Sequence, residues 1–146
     1  MTVLDAYAVL AYLADEVAAP EVQPLIEEGG VLAAMGLAEV VDHLIRRLGA
    51  SEDDASLDVA TLGLDRAVGI DAQIAAAAGR LRARHYHRTQ CQVSLADCVA
   101  AEVARSTGRP LATADPHLLD VCHRESIPVV VLPAADGSRW SHAPGS

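Results

Sequence analysis

The chain has 146 residues, 51% of them hydrophobic, and its 20 acidic against 11 basic residues give a formal net charge of −9. This length and composition suit one folded domain and exclude a chain that is disordered throughout. The acidity disfavours a passive nucleic-acid coat protein, and the 3% aromatic content disfavours a base-stacking platform for single strands. We expect a cytoplasmic protein without membrane contact, because the sequence has no apolar run of roughly 18 residues and no basic signal-peptide start.

Strand and helix patterns alternate along the chain. In order, they predict a strand at residues 2–4, helices at 6–14 and 20–28, a strand at 31–34, helices at 37–48 and from 51, a strand at 66–70, helices from 71 towards 87 and at 94–107, a strand at 110–113, a short helix from 115, and a buried strand at 128–132. This alternation predicts an α/β fold in which helices cover both faces of a mainly parallel central sheet. Residues 1–132 are predicted as one domain, and the Pro-, Gly- and Ser-rich residues 133–146 as a loose C-terminal tail.

The cysteine and glycine patterns exclude several other chemistries. Three cysteines are an odd and sparse set, which does not indicate a disulfide framework. The spacing of His85, His87, Cys91 and Cys98 fits no standard structural zinc site. Neither GxGxxG nor a phosphate-binding GxxxxGK motif occurs, so no nucleotide cofactor is predicted.

Four acidic residues stand near the ends of predicted strands. Asp5 follows the first strand, Asp115 follows the strand at 110–113, and Asp97 and Glu39 lie early in predicted helices. Because the carboxyl ends of parallel strands meet at one edge of a sheet, we expect these side chains to gather there. Each acid alone could simply cap a helix, as Asp71 is expected to do, but the joint pattern favours a shared site.

Four carboxylates in one cleft would repel one another. Two like charges about 4 Å apart cost roughly 4 kcal/mol at an effective dielectric constant near 20, unless a cation lies between them. Oxygen ligands without paired cysteines or histidines favour Mg²⁺ or Mn²⁺ over Zn²⁺. Such an ion activates water and neutralises the charge that gathers on a phosphodiester, so the acids predict metal-dependent hydrolysis of a nucleic acid.

Four sequence strings resemble the successive motifs of PIN-domain ribonucleases, and among these the VapC-type toxins of bacterial type II toxin–antitoxin pairs. The strings are TVLDAYA (2–8), LAEVVDHL (37–44), SLADCVAA (94–101) and LATADP (111–116). The resemblance covers about residues 1–132. It implies a PIN-like three-layer domain and a Mg²⁺- or Mn²⁺-dependent endoribonuclease that hydrolyses RNA with a metal-activated water. It also implies a homodimer and inhibition by a small cognate antitoxin protein.

The same resemblance assigns roles to particular residues. The catalytic and metal-binding acids would be Asp5, Glu39, Asp97 and Asp115. Thr113 matches a hydroxyl residue that would orient Asp5 or a metal-bound water. Gly36 departs from the family pattern, which often has Ser or Asn there. Asp42 and Asp120 are additional acids whose roles the motifs do not fix.

A basic concentration lies just before Asp97 in the sequence. Its arginines have two interpretations of similar weight: contacts to an RNA backbone, or the charged C-terminal end of a long helix. The candidate RNA-binding residues are Arg80, Arg82, Arg84 and Arg88.

Two other functions remain open from the sequence. A receiver-type phosphoacceptor domain shares the parallel sheet and an acidic Mg²⁺ pocket, but it normally uses a lysine, and this chain has none. A degenerate PIN domain could bind partners without catalysis, although the complete set of four acids argues against this alternative.

Overall fold

Four short parallel strands form the central sheet of the computed structural model, which describes residues 1–142. The strands are β1 (Val3–Leu4), β2 (Val31–Leu32), β3 (Leu111–Thr113) and β4 (Val129–Val131), in the order β2-β1-β3-β4, and every pairing is parallel. The chain therefore leaves β1 for one edge of the sheet and later returns on the other side of β1. The point where this direction reverses lies between β1 and β3, and ligands of open α/β sheets bind at such points.

Within the described residues, seven helices surround this sheet. They are α1 (Ala6–Leu13), α2 (Ala19–Glu27), α3 (Ala34–Arg46), α4 (Glu52–Thr61), α5 (Ala72–His85), α6 (Leu95–Thr107) and α7 (Pro116–Arg124). Alternate residues of a strand face opposite sides of a sheet. Val3 and Leu111 accordingly pack with α5, α6 and α7, whereas Leu4 and Ala112 pack with α1 to α4. The predicted three-layer α/β fold is confirmed.

Two predicted strands differ from the structure. Residues 66–70 do not form a strand, and only an isolated parallel bridge joins Val68 to Ala33. The strand predicted as buried at 128–132 is β4, whose residues are only half-buried because β4 is the edge strand of the sheet. A run of valines does not distinguish an edge strand from a central one, because both have the same residue preferences.

The segment after β4, residues 133–142, is named here the C-terminal strap. It contains a tight turn in which the Gly137 N–H donates to the Ala134 carbonyl and the Ala134 N–H donates to the Ser138 carbonyl. Gly137 has a φ of +85°, which favours glycine at this turn. The boundary at residue 132 and the loose tail stay predictions, and residues 143–146 of that tail lie outside the described residues. No helix within residues 1–142 has the length and apolar character needed to cross a lipid bilayer.

Candidate active site

Three of the predicted acids are held in place by helix caps. Asp5 precedes α1, and its Oδ1 accepts from the Ala8 N–H at 2.8 Å. Asp115 precedes α7, and its Oδ1 accepts from the N–H groups of His117 and Leu118. Asp97 forms a reciprocal capping box with Ser94 at the start of α6. These backbone contacts fix the direction of each carboxylate without using all of its acceptor positions.

The Thr113 hydroxyl connects the two strands at the centre of the sheet. The hydroxyl donates to Asp5 Oδ2 and accepts from the Asp115 N–H at 3.1 Å. The register that pairs Leu4 with Ala112 makes this contact possible, because it places the next residues, Asp5 and Thr113, side by side. Thr113 is fully buried, so this contact is shielded from water.

A cavity of about 340 Å³ opens at this edge of the sheet, and all four predicted acids line it. Asp5 lies deepest, at 8% exposed, whereas Glu39 is exposed at the rim because it falls in the second turn of α3 rather than the first. Several other lining residues are small and leave room between the carboxylates: Ala6, Ala33, Gly36, Ala96, Ala100 and Ala114. The structure thus brings together acids that are as many as 110 positions apart in the sequence.

Acceptor oxygens of three acids remain unused. Within residues 1–142, Asp97 Oδ1, Asp115 Oδ2 and the Glu39 carboxylate accept no hydrogen bond from the protein, and no arginine lines the cavity. The site therefore has acceptors for a cation and no arginine beside them, although the nearby His117 partly opposes the rise in the pKa of Asp97.

The surroundings raise the pKa values of Asp5, Asp97 and Glu39. Burial raises the pKa of Asp5 to about 7, with the nearby charges of Asp97 and Asp115 adding to the effect and the hydrogen bonds from Thr113 and Ala8 opposing it. Burial and the Asp115 charge raise the pKa of Asp97. Partial burial and the Asp97 charge also raise the pKa of Glu39. An uncompensated cluster of carboxylates produces these directions.

The donor set fits a hard divalent cation. Among residues 1–142, no three acidic, His or Cys side chains lie close enough together to hold a metal ion as they stand. Because the lining carboxylates offer only oxygen, Mg²⁺ or Mn²⁺ is the kind of ion they suit, and binding requires them to draw together.

The arginines of the basic segment lie outside this cavity, and two of them are engaged elsewhere. Arg82 donates to the Val93 carbonyl at 2.9 Å and stacks over the Tyr86 ring. Arg84 forms an ion pair with Glu125 at 3.0 Å. Arg80 and Arg88 are exposed. RNA contact by any of the four stays a prediction.

Two lining residues escaped the sequence analysis. Tyr7 and His117 each lie two positions after a site acid, and both face the cavity. Their common position, two residues after Asp5 and Asp115, is the sequence feature from which they could have been predicted. Asp42 and Asp120 are not among the lining residues. Asp42 forms an ion pair with Arg46, and Asp120 accepts a hydrogen bond from Trp140.

The three cysteines are free and buried within the fold. Burial raises the pKa of the Cys98 and Cys122 thiols to about 12. A buried thiol with a raised pKa is unreactive, and such cysteines serve as small apolar residues that pack in the core.

Comparisons with known proteins place this geometry in context. The sequence matches the family model described as PIN domain over residues 2–124. The fold is similar to FitAcB from Neisseria gonorrhoeae, with a TM-score of 0.63 and 17% identity, covering 88% of this chain and 96% of that one. It is also similar to Mycobacterium tuberculosis VapC20, a toxin that cleaves the sarcin-ricin loop, with a TM-score of 0.63 and 18% identity, covering 82% and 94%.

A third similar structure is VapBC2 from Rickettsia felis bound to a DNA fragment from their promoter. It has a TM-score of 0.62 and 13% identity, covering 88% of this chain and 96% of that one. No curated protein sequence matches the chain. At these identities the solved structures show a shared fold.

Proposed function

The chain belongs to the PIN domain family, and from this membership we propose that it is a Mg²⁺- or Mn²⁺-dependent endoribonuclease that acts as the toxin of a toxin–antitoxin pair. The observation that carries the proposal is one cavity at the switch point of the sheet, lined by Asp5, Glu39, Asp97 and Asp115. Buried like charges without a basic partner are unfavourable for folding. Their presence is explained by a role that needs them.

The four acids would hold the divalent ion. When bound, Mg²⁺ or Mn²⁺ activates a water and neutralises the negative charge that gathers on a phosphodiester during hydrolysis. This ion also resolves the conflict between an acidic protein and a polyanionic substrate, because it supplies the positive charge that the cavity lacks.

The protein's own residues hold the carboxylates of the cavity in fixed positions. Helix caps hold the carboxylates of Asp97 and Asp115 through one oxygen and leave the other free towards the cavity. Thr113 holds Asp5 through its second oxygen. Since a misplacement of about 1 Å can cost a large factor in rate, these rigid contacts matter for activity as well as for folding.

We propose RNA as the substrate and a small antitoxin as the inhibiting partner, with a homodimer as the working form. The similarity to VapC20, a toxin that cleaves the sarcin-ricin loop, supports RNA as the substrate class. Exposed apolar side chains, among them Leu48 and Leu57, offer surface for protein contacts. Light scattering on the purified chain measures whether it has the mass of a dimer.

The decisive experiment compares two aspartates that cap helices in the same way. Asp115 caps α7 beside the cavity, whereas Asp71 caps the distant helix α5 through a 2.8 Å contact to the Ile74 N–H. Asparagine caps a helix about as well as aspartate. We expect Asp115→Asn to reduce RNA cleavage in Mn²⁺ by on the order of 100-fold or more, with unchanged unfolding. Asp71→Asn should change neither property.

The cleaved ends provide an independent readout. Hydrolysis by water should leave 5′-phosphate and 3′-hydroxyl ends, which sequencing of ligated products detects. Equal cleavage by wild type and Asp115→Asn would contradict the proposal. Absence of cleavage by the wild type, together with absence of heat on titration with Mn²⁺, would favour a degenerate binding domain.

A further inference from the structure

The C-terminal strap forms part of the wall of the catalytic cavity. Ala134 and Ala135 line the cavity together with the four acids. The hydroxyl of Tyr7, another lining residue, donates to the Pro133 carbonyl at 3.0 Å. The strap therefore forms part of the surface of the cavity that contains Asp5.

Two anchors hold the strap against the domain on opposite faces of the sheet. Arg139 donates to the Val131 carbonyl on the edge strand and pairs with Glu21 of α2 at 2.5 Å. The Trp140 indole N–H donates to Asp120 of α7 at 2.8 Å, and the indole lies beside the stacked rings of His123 and His142. The strap thus crosses the exposed edge of β4 from one helical layer to the other.

The strap lies outside the residues that match the family model. The matched region ends at residue 124, whereas the strap begins at residue 133. Asp120, whose role the sequence left open, has its partner in the strap.

We propose that the strap is a specificity element, which restricts the cavity to an unpaired RNA strand, and that Asp120 and Arg139 are positioning residues for it. This inference rests on the proposed ribonuclease function. At about 340 Å³ the cavity lies at the low end of small-ligand sites, so it admits a unit of roughly one nucleotide rather than a duplex. While the strap is docked, the cavity keeps this size. When the strap undocks, the cavity loses one wall and admits a larger substrate.

The test uses Asp120→Ala with Asp120→Asn as the matched control. The alanine variant removes the acceptor of the Trp140 N–H, whereas asparagine retains an acceptor oxygen. Two RNAs present the same cleavage sequence, one unpaired and one within a hairpin stem. We expect the wild type to prefer the unpaired RNA in kcat/KM, and Asp120→Ala to narrow this preference by about fivefold, the factor that one net hydrogen bond represents. Asp120→Asn should keep the wild-type ratio.

Trp140 reports on the strap directly, because it is the single tryptophan of the chain. Acrylamide should quench its fluorescence more strongly in Asp120→Ala than in the wild type or Asp120→Asn. Arg139→Gln removes the second anchor at an exposed position and should shift both readouts in the same direction. Circular dichroism checks that each variant is folded.

The outcomes separate this inference from the proposed function. If the wild type cleaves RNA but all three variants keep its preference and its quenching, the strap proposal is wrong and the nuclease stands. If labelled RNA binds without being cleaved, and Asp120→Ala and Arg139→Gln but not Asp120→Asn gain affinity for the hairpin, the nuclease is wrong and the strap stands. If RNA neither binds nor is cleaved, both are wrong.

Discussion

The two ends of helix α7 carry acidic groups in opposite electrostatic surroundings. At its start, Asp115 shares a cavity with Asp5, whose pKa burial raises to about 7. At its end, Glu125 accepts hydrogen bonds from Arg105 at 2.7 Å and from Arg84 at 3.0 Å, and its other oxygen lies 2.7 Å from His85 Nε2. These contacts, with that of Arg105 the largest, lower the pKa of Glu125 to about 2.

The difference separates an acid that has arginine partners from the acids that we propose as metal ligands. Glu125 receives its counter-charges from α5 and α6, so its ionised form strengthens the contact of three helices. The cavity acids have no arginine partner: Asp5 accepts hydrogen bonds on both oxygens, and Asp97 and Asp115 each accept on one. This contrast agrees with the proposal that a bound cation supplies positive charge to the cavity.

The largest expected effect tests the Thr113 contact. Thr113→Val keeps the shape of the buried side chain but leaves Asp5 Oδ2 and the Asp115 N–H without their partner. We expect a loss of about 1–3 kcal/mol in the free energy of unfolding, measured by urea denaturation, together with weaker RNA cleavage. Thr113→Ser retains the hydroxyl and should recover most of the cleavage. Wild-type cleavage by Thr113→Val would show that Asp5 needs no such support.

A smaller effect on stability is expected at the end of α7, where arginines surround Glu125. Glu125→Gln removes the charge that Arg84, His85 and Arg105 share. Because both arginine side chains are nearly half exposed, water replaces much of the lost contact, and we expect a loss of about 1 kcal/mol in the free energy of unfolding. RNA cleavage should remain at the wild-type rate. A loss of cleavage equal to that of Asp115→Asn would erase the distinction between the two ends.

The pH dependence of stability sharpens the same comparison. The pKa of Glu125 is about 2 in the folded chain and near its ordinary 4.5 in the unfolded chain. Its stabilising contribution is therefore complete above pH 4.5 and is lost as the pH falls towards 2. Urea denaturation should show the stability difference between wild type and Glu125→Gln shrinking over this window. A difference that stays constant would mean that folding does not lower the pKa of Glu125.

The sequence was sufficient to predict that the four acids line one cavity, because parallel strands end at the same edge of the sheet. Asp5 and Asp115 each follow an apolar run, and parallel pairing of those runs brings them together. A helix cap and a role in the site are compatible, since a carboxylate has two oxygens and Asp115 caps α7 through Oδ1 alone. The arginine partners could not be predicted, because Arg84 meets Glu125 only through tertiary packing, 41 residues away.

The smallest expected effect concerns Asp42, an acid near the site in sequence but outside it in space. Asp42 pairs with Arg46 one turn along α3 at 3.0 Å, and both side chains are more than half exposed. Such exposed pairs contribute little to stability, so Asp42→Asn should lower the free energy of unfolding only slightly, and less in high salt. Cleavage should not change, because Asp42 does not line the cavity that the four acids share. A loss of cleavage comparable with that of Glu39→Gln, measured on the same RNA, would instead place Asp42 among the residues that hold the ion.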